Sequence, residues 1–91
     1  MHIDLSESAV TLLKEISLDP NGLLFKVMTF TGTSFNTNGK DLNADHTPRS
    51  TADLDDALAQ LWKSNLVSRD ASAESYTVTK LGYDYVDELN K

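Results

Sequence analysis

Ninety-one residues with 14 acids, 8 bases, a net charge of −6 and no cysteine describe one small acidic domain, residues 1–91. They exclude a disulfide framework and a thiolate metal site. No unbroken apolar run exceeds three residues, as in Leu23–Phe25, so no segment is a membrane-spanning helix, which takes about 20.

The first four residues, Met1 to Asp4, lack the basic region and apolar stretch of a signal peptide, and the expected location is the cytoplasm. The charge is unevenly spread: −3 over residues 1–22, +2 over 23–40, −3 over 41–64, zero over 65–80 and −2 over 81–91. Helical segments carry the acid, and the only positive balance lies in a predicted hairpin. Phosphate binding is driven by Lys and Arg displacing counterions, so this balance weighs against general nucleic-acid binding.

Asp4 and Glu7 have capping-box spacing, and Ala9, Val10, Leu12, Leu13 and Ile16 recur at helical period. Asp19-Pro20-Asn21-Gly22 ends that helix, because proline cannot continue it and Asn-Gly suits a turn. Residues 23–30 predict a strand with Leu23, Phe25 and Val27 on one face and Leu24, Met28 and Phe30 on the other. With both faces largely apolar, burial on both sides is expected; a short buried helix is the competing reading. Asn38-Gly39 signals a type I′ hairpin pairing Thr37 with Lys40 and Phe35 with Leu42. Residues 44–50 read as a loop.

A second helix is predicted over 51–64. Ser50 or Thr51 caps it, and Asp53, Asp55 and Asp56 fall near its first turn, where the helix dipole favours acid. Leu54, Ala57, Leu58, Leu61 and Trp62 form its apolar face, with Trp62 assigned to the core, and Asn65 suits a left-handed helix end. Leu66–Arg69 and Tyr76–Thr79 predict two strands around a loop. Thr79 caps a last helix whose inner face is Leu81, Tyr85, Val86 and Leu89.

Ala57-Leu58-Ala59-Gln60-Leu61, then Asn65-Leu66-Val67, Tyr76-Thr77-Val78-Thr79 and Lys80-Leu81-Gly82, resemble the second half of a winged-helix domain. The whole chain also resembles an acidic, uncharacterised winged-helix-like module of bacterial and phage proteins. That resemblance rests on Asp19 to Gly22, Gly32-Thr33, Asn38-Gly39-Lys40 and Pro48-Arg49-Ser50. It implies an α+β fold with three helices, about five short strands, a β-hairpin in the N-terminal half and a C-terminal wing. The first half departs from a DNA-binding winged helix. A hairpin and loop occupy residues 33–50, where such a domain has a second helix before the one that enters the groove.

Docking of helix 51–64 on DNA would bring Asp53, Asp55 and Asp56 to a polyanion. The expected function is therefore a non-enzymatic protein-interaction module, an accessory or inhibitory domain. Its acidic surface, from Asp53, Asp55, Asp56, Gln60, Tyr83, Asp84 and Asp87 with Glu88, would meet a basic protein partner. The alternative is a winged-helix regulator that dimerises to place Arg49, Lys63, Arg69 and Lys80, with Lys26 and Lys40, on DNA. Metal binding at His2 with Asp4, or at Asp41, Asp45 and His46, has no recognised spacing, and no metal or other cofactor is expected. His46 is the only plausible base for a hydrolase, and no Gly-x-Ser-x-Gly or phosphate loop occurs, so no enzyme is expected. Phe30, Phe35 and Met28 would form a partner patch or dimer seam if the hairpin is uncovered.

Overall fold

The computed structural model describes residues 5–30, 32–43, 47–71 and 74–90. The order is α1 (Glu7–Leu18), β1 (Leu23–Thr29), β2 (Gly32–Thr37), β3 (Lys40–Asp41), α2 (Pro48–Lys63), β4 (Val67–Arg69), β5 (Ser75–Val78) and α3 (Lys80–Leu89). The five strands form one antiparallel sheet in the order β3-β2-β1-β5-β4. The fold is α+β. Its first half holds a three-strand meander, β1-β2-β3, rather than the single predicted hairpin. No described helix is long and apolar enough to cross a membrane.

Register decides which side of the sheet is dry. Leu24 stands opposite Thr37 and Tyr76, Lys26 opposite Phe35, and Val67 opposite Val78. Directly opposed residues share a face, so Leu24, Phe35, Thr37, Tyr76, Val67 and Val78 all point the same way, and all are buried. Against them pack Ala9, Leu12, Leu13 and Ile16 of α1, Ala57, Leu58 and Leu61 of α2, and Val86 of α3. Each buried Leu, Ile or Phe side chain contributes about 1.5–3 kcal/mol through removal of apolar surface from water. Leu23, Phe25, Val27, Ser34, Asn36 and Thr77 alternate onto the other face, which no helix of the described chain covers.

The helix ends show why these segments begin and stop where they do. Ser6, not Asp4, caps α1: its hydroxyl accepts the Ala9 N–H at 3.2 Å, and Glu7 is the first helical residue. Asp4 lies outside the described residues. At the other end Asp19 leaves the helix, and its carboxylate accepts N–H groups from Asn21 (3.0 Å), Leu23 (3.1 Å) and Asn38 (2.9 Å). One side chain thus ties the end of α1 to the start of β1 and to the β2–β3 turn. In that turn Asn38 and Gly39 have φ of 52° and 76°, the positive values the Asn-Gly pair predicted.

Helix α2 starts three residues earlier than predicted. Thr47 is its N-cap, accepting the Ser50 N–H at 3.1 Å, and Pro48 takes the first turn, where a missing N–H costs nothing. Residues 48–50 are therefore helix, not loop, and no acid lies in the first turn. Ser50 and Thr51 serve another purpose. Their hydroxyls hold Asn43, which is fully buried. The Asn43 amide donates to the Thr33 carbonyl (2.5 Å) and to Thr51 Oγ1 (2.9 Å), and its Oδ1 accepts from Ser50 Oγ (2.6 Å). The Asp41 carboxylate accepts the N–H of both Asn43 and Phe35. The meander is thereby fastened to the N-terminus of α2.

The C-terminal half follows the predicted order. Asn65 ends α2 with φ 62°, and Thr79 caps α3, accepting the Gly82 N–H at 3.0 Å. The Leu66 carbonyl accepts the Thr79 N–H at 3.0 Å and the Asn65 carbonyl accepts the Thr79 hydroxyl at 2.7 Å, joining the segment between α2 and β4 to the start of α3.

The strand at residues 23–29 is real, which sets aside the buried-helix reading, but it is not buried on both faces. Leu24 is fully buried, whereas Phe25 and Val27 are 48% and 45% exposed and Met28 is 81% exposed. The helices cover β1 only at its beginning. Beyond Lys26 the β1–β2 hairpin runs out past the core, and the molecule measures 40 × 23 × 23 Å.

Candidate functional site

The structure turns Asp55 away from the rest of the predicted acidic row. At 100° per residue, Asp53 and Asp55 stand about 160° apart around α2. Asp55 faces the sheet, where the Lys26 ammonium donates to its Oδ1 at 2.6 Å. Asp56 accepts the Gln60 amide at 2.9 Å, and the Gln60 oxygen accepts the Ser6 N–H at 2.9 Å. Gln60 therefore joins α2 to α1 rather than facing a partner. Asp53 is exposed in a shallow depression with Arg49, Ser8 and Leu54. On α3, Asp84 lies 3.8 Å from Lys80 one turn away, and Asp87 and Glu88 are exposed.

The alternative basic set is equally scattered. Arg49 and Lys63 stand at opposite ends of α2, about 21 Å apart along its axis. Arg69 stacks on the Trp62 ring, 4.1 Å from its centroid, and Lys80 begins α3. Lys26 is held by Asp55 beside the Phe35 ring, and Lys40 pairs with Glu15. The positive balance of residues 23–40 is thus neutralised from α1 and α2. Lys40 hydrogen-bonds the Glu15 carboxylate and holds its pKa below the ordinary glutamate range. The N–H groups of Leu23, Asn21 and Asn38 do the same for Asp19. Both shifts mark structural ties at the base of the hairpin.

One of these aromatic assignments changes. Trp62 is 37% exposed at the edge of α2 under Arg69, not in the core. Tyr83 is exposed, as a contact residue should be, but its hydroxyl leans on Gly22. Tyr76 is buried. His2, Asp4, Asp45 and His46, which carried the metal and hydrolase considerations, lie outside the described residues. Asp41 is already engaged by two backbone N–H groups. Among the described residues no group of three His, Cys, Asp or Glu side chains could hold a metal ion. A depression of about 440 Å³ runs between α1 and Leu42 and Leu54, with Glu7 and Glu15 at its rim. Glu15 is already paired there with Lys40.

What the structure does bring together is apolar. Residues 27–39 contain no Asp, Glu, Lys or Arg. Over this uncharged stretch and the strand leading into it, Phe25, Val27, Met28 and Phe30 are all exposed, Phe30 completely. Phe35, expected in the same patch, is fully buried, because it sits on the helix-covered face opposite Lys26. The sequence signal for this surface was the long charge-free interval in an otherwise acidic chain. The signal that separates Phe30 from Phe35 is tertiary: only one of them lies under a helix.

The backbone of the same hairpin has an open edge. β5 pairs with Leu23, Leu24 and Phe25, and the Lys26 N–H donates to the Glu74 carbonyl at 2.8 Å. Among the described residues, Val27 to Thr29 of β1 pair with β2 alone. Native sheets usually blunt such edges with charge, proline or a bulge. Here the edge carries valine, methionine and threonine.

Comparisons with family models, with curated proteins and with solved structures find no match to this chain.

Proposed function

We propose that this chain is a non-enzymatic protein-interaction module whose contact surface is the projecting, uncharged β1–β2 hairpin. The observation that carries this reading is the exposure of Phe25, Val27, Met28 and Phe30 on one extension of an otherwise acidic body. Phe25 and Val27 stand on the uncovered face of the sheet and Met28 on the other, and large apolar side chains exposed together on one element are characteristic of binding sites. The acids of α2 and α3 keep the body soluble and leave the hairpin as its least hydrated part. A winged-helix ancestry is supported by connectivity: α2 runs into the β4–β5 hairpin, β5 pairs with β1, and α3 closes the chain. A DNA-binding role is the weaker reading, because Lys26 and Lys40 are spent on carboxylates and α2 carries Asp53 and Asp56 on its exposed flank.

The test compares complexes formed in the native host by three tagged forms. These are the wild type, a hairpin variant (Met28→Lys with Phe30→Ser) and an acid variant (Asp53→Asn with Asp56→Asn). The complexes should be lost with the hairpin variant and kept with the acid variant. If the acid variant loses them and the hairpin variant keeps them, the surface lies on α2 and this reading is wrong.

A further inference from the structure

We propose that Asn38-Gly39 in the β2–β3 turn is a self-modification site. In the folded protein the Asn38 side-chain amide is hydrolysed through a cyclic imide, while the other Asn-Gly pair, Asn21-Gly22, is spared. The new carboxylate stands beside Glu15 and loosens the turn from α1. This goes beyond the contact-surface reading and does not rest on it.

The chemistry needs only the chain and water. The backbone nitrogen of the glycine gives its proton to solvent base and attacks the Cγ of the preceding asparagine. The new N–Cγ bond closes a five-membered imide, and the side-chain nitrogen leaves as ammonia with a proton taken from water. Water then opens the ring at either carbonyl. One product is aspartate; the other is isoaspartate, with the main chain rerouted through Cβ. In both, an amide has become a carboxylate, and nothing is oxidised or reduced. Glycine permits the attack because no Cβ crowds its nitrogen.

The sequence makes the two Asn-Gly pairs equivalent, and the fold separates them. The Gly22 N–H donates to the Asp19 carbonyl at 3.0 Å, and the Gly22 carbonyl accepts the Val78 N–H at 2.9 Å. Gly22 is buried, with the Tyr83 hydroxyl standing where a side chain would begin. Its nitrogen is both bonded and covered, and it reacts only after local opening. Gly39 is exposed, and no described atom lies within 4 Å of the place a Cβ would take. Among the described residues its N–H has no acceptor. The Asn38 side chain is lightly held: its Nδ2 donates to Glu15 Oε1 at 3.4 Å, beyond the usual range of about 2.7–3.2 Å.

The surroundings decide what the reaction does. Asn38 sits between two acids. Its N–H donates to Asp19 Oδ1 at 2.9 Å, and its amide faces the Glu15 carboxylate, which is paired with Lys40. A carboxylate at position 38 meets Glu15 with the same sign and competes with it for Lys40. The chain, already at −6, gains a further negative charge at this one point. Isoaspartate also lengthens the backbone of a two-residue turn, which disrupts the pairing of Thr37 with Lys40. Both products weaken the ties that hold the base of the hairpin to α1.

The test ages the intact chain in mildly alkaline buffer, native and in concentrated urea, and reads both sites by peptide mapping with mass spectrometry. In the native chain, replacement of NH2 by OH should accumulate at Asn38 about tenfold faster than at Asn21; in urea the two sites should react at similar rates. The aged native form, separated by anion exchange, should unfold at lower urea than the fresh chain. Asn38→Asp carries the charge without the isomer and should shift the midpoint in the same direction. That shift should shrink in a Glu15→Gln background, where the facing charge is gone. Equal or faster conversion at Asn21 in the native chain overturns the proposal, as does an intact Asn38 while the unfolded chain reacts there. An aged form with the midpoint of the fresh chain, or an Asn38→Asp shift indifferent to Glu15, overturns the coupling to α1.

Discussion

Phe30 and Phe35 belong to the same hairpin, and the structure gives their rings opposite environments. Phe35 is 0% exposed and packs with Leu24, Leu58 and the rest of the core, whereas Phe30 is fully exposed. Truncating a buried phenylalanine removes its transfer free energy and leaves a cavity, so Phe35→Ala should cost about 3–5 kcal/mol. A chain of this length has a total stability of roughly 5–13 kcal/mol, so that single change removes a large share of it. Phe30→Ser deletes an equally large ring but should change stability by no more than about 0.5 kcal/mol, because the ring has no packing to lose. The assay is urea unfolding followed by far-ultraviolet circular dichroism and by the lone tryptophan, Trp62. The protein is kept near 1 μM so that association adds little, since bound partner stabilises in proportion to its concentration. A loss of more than about 1 kcal/mol for Phe30→Ser would mean that the ring is packed in the isolated molecule. The apolar hairpin would then be part of the core and not a surface held for something else.

Two further outcomes probe the frame that carries the hairpin. In a helix alanine is favoured over glycine by about 1 kcal/mol, yet a Cβ at Gly82 would press on the Leu66 carbonyl and on Val78 Cγ1 at 2.8 Å. Overpacking against backbone costs about 1–3 kcal/mol, so Gly82→Ala should be destabilising on balance, and a rise in its urea midpoint would contradict the close docking of α3 on β4. Asp19 is held below the ordinary aspartate range by the N–H groups of Leu23, Asn21 and Asn38. Its contribution is fully present above the unfolded value of about 3.9 and is lost as pH falls through the folded one. Asp19→Asn should therefore flatten the loss of stability below about pH 4, measured as urea midpoint against pH; parallel acid limbs for variant and wild type would refute the three-way anchor.

The features legible in the sequence are those set by local backbone chemistry. Asn38-Gly39 specifies its turn because both residues accept positive φ, and Asn65 and Thr79 mark helix boundaries for equally local reasons. The start of α2 was misplaced because Ser50 and Thr51 are as good in isolation as Thr47. What decides among them is that Pro48 prefers the first helical turn and that Asn43 claims both other hydroxyls. Asn43 itself gives no warning in the sequence, since its partners come from β2 and α2. The strand at Leu23–Thr29 was recognisable from composition, but alternation alone cannot say where the helices stop covering it. That boundary falls near Lys26, separates buried Leu24 from exposed Met28, and creates the candidate surface. The acids read as one patch for a similar reason. Their sequence proximity hides the angle between Asp53 and Asp55, and the ties of Asp55 to Lys26 and of Asp56 to Gln60 arise only in the fold.

The central claim is that contact is made through the hairpin tip. A photo-crosslinking residue placed at Phe30, and separately at the exposed Lys14 of α1, tests it directly in living cells. Irradiation should give discrete polypeptide adducts from position 30 and none above background from position 14. Adducts from position 14 with none from position 30 would contradict the account.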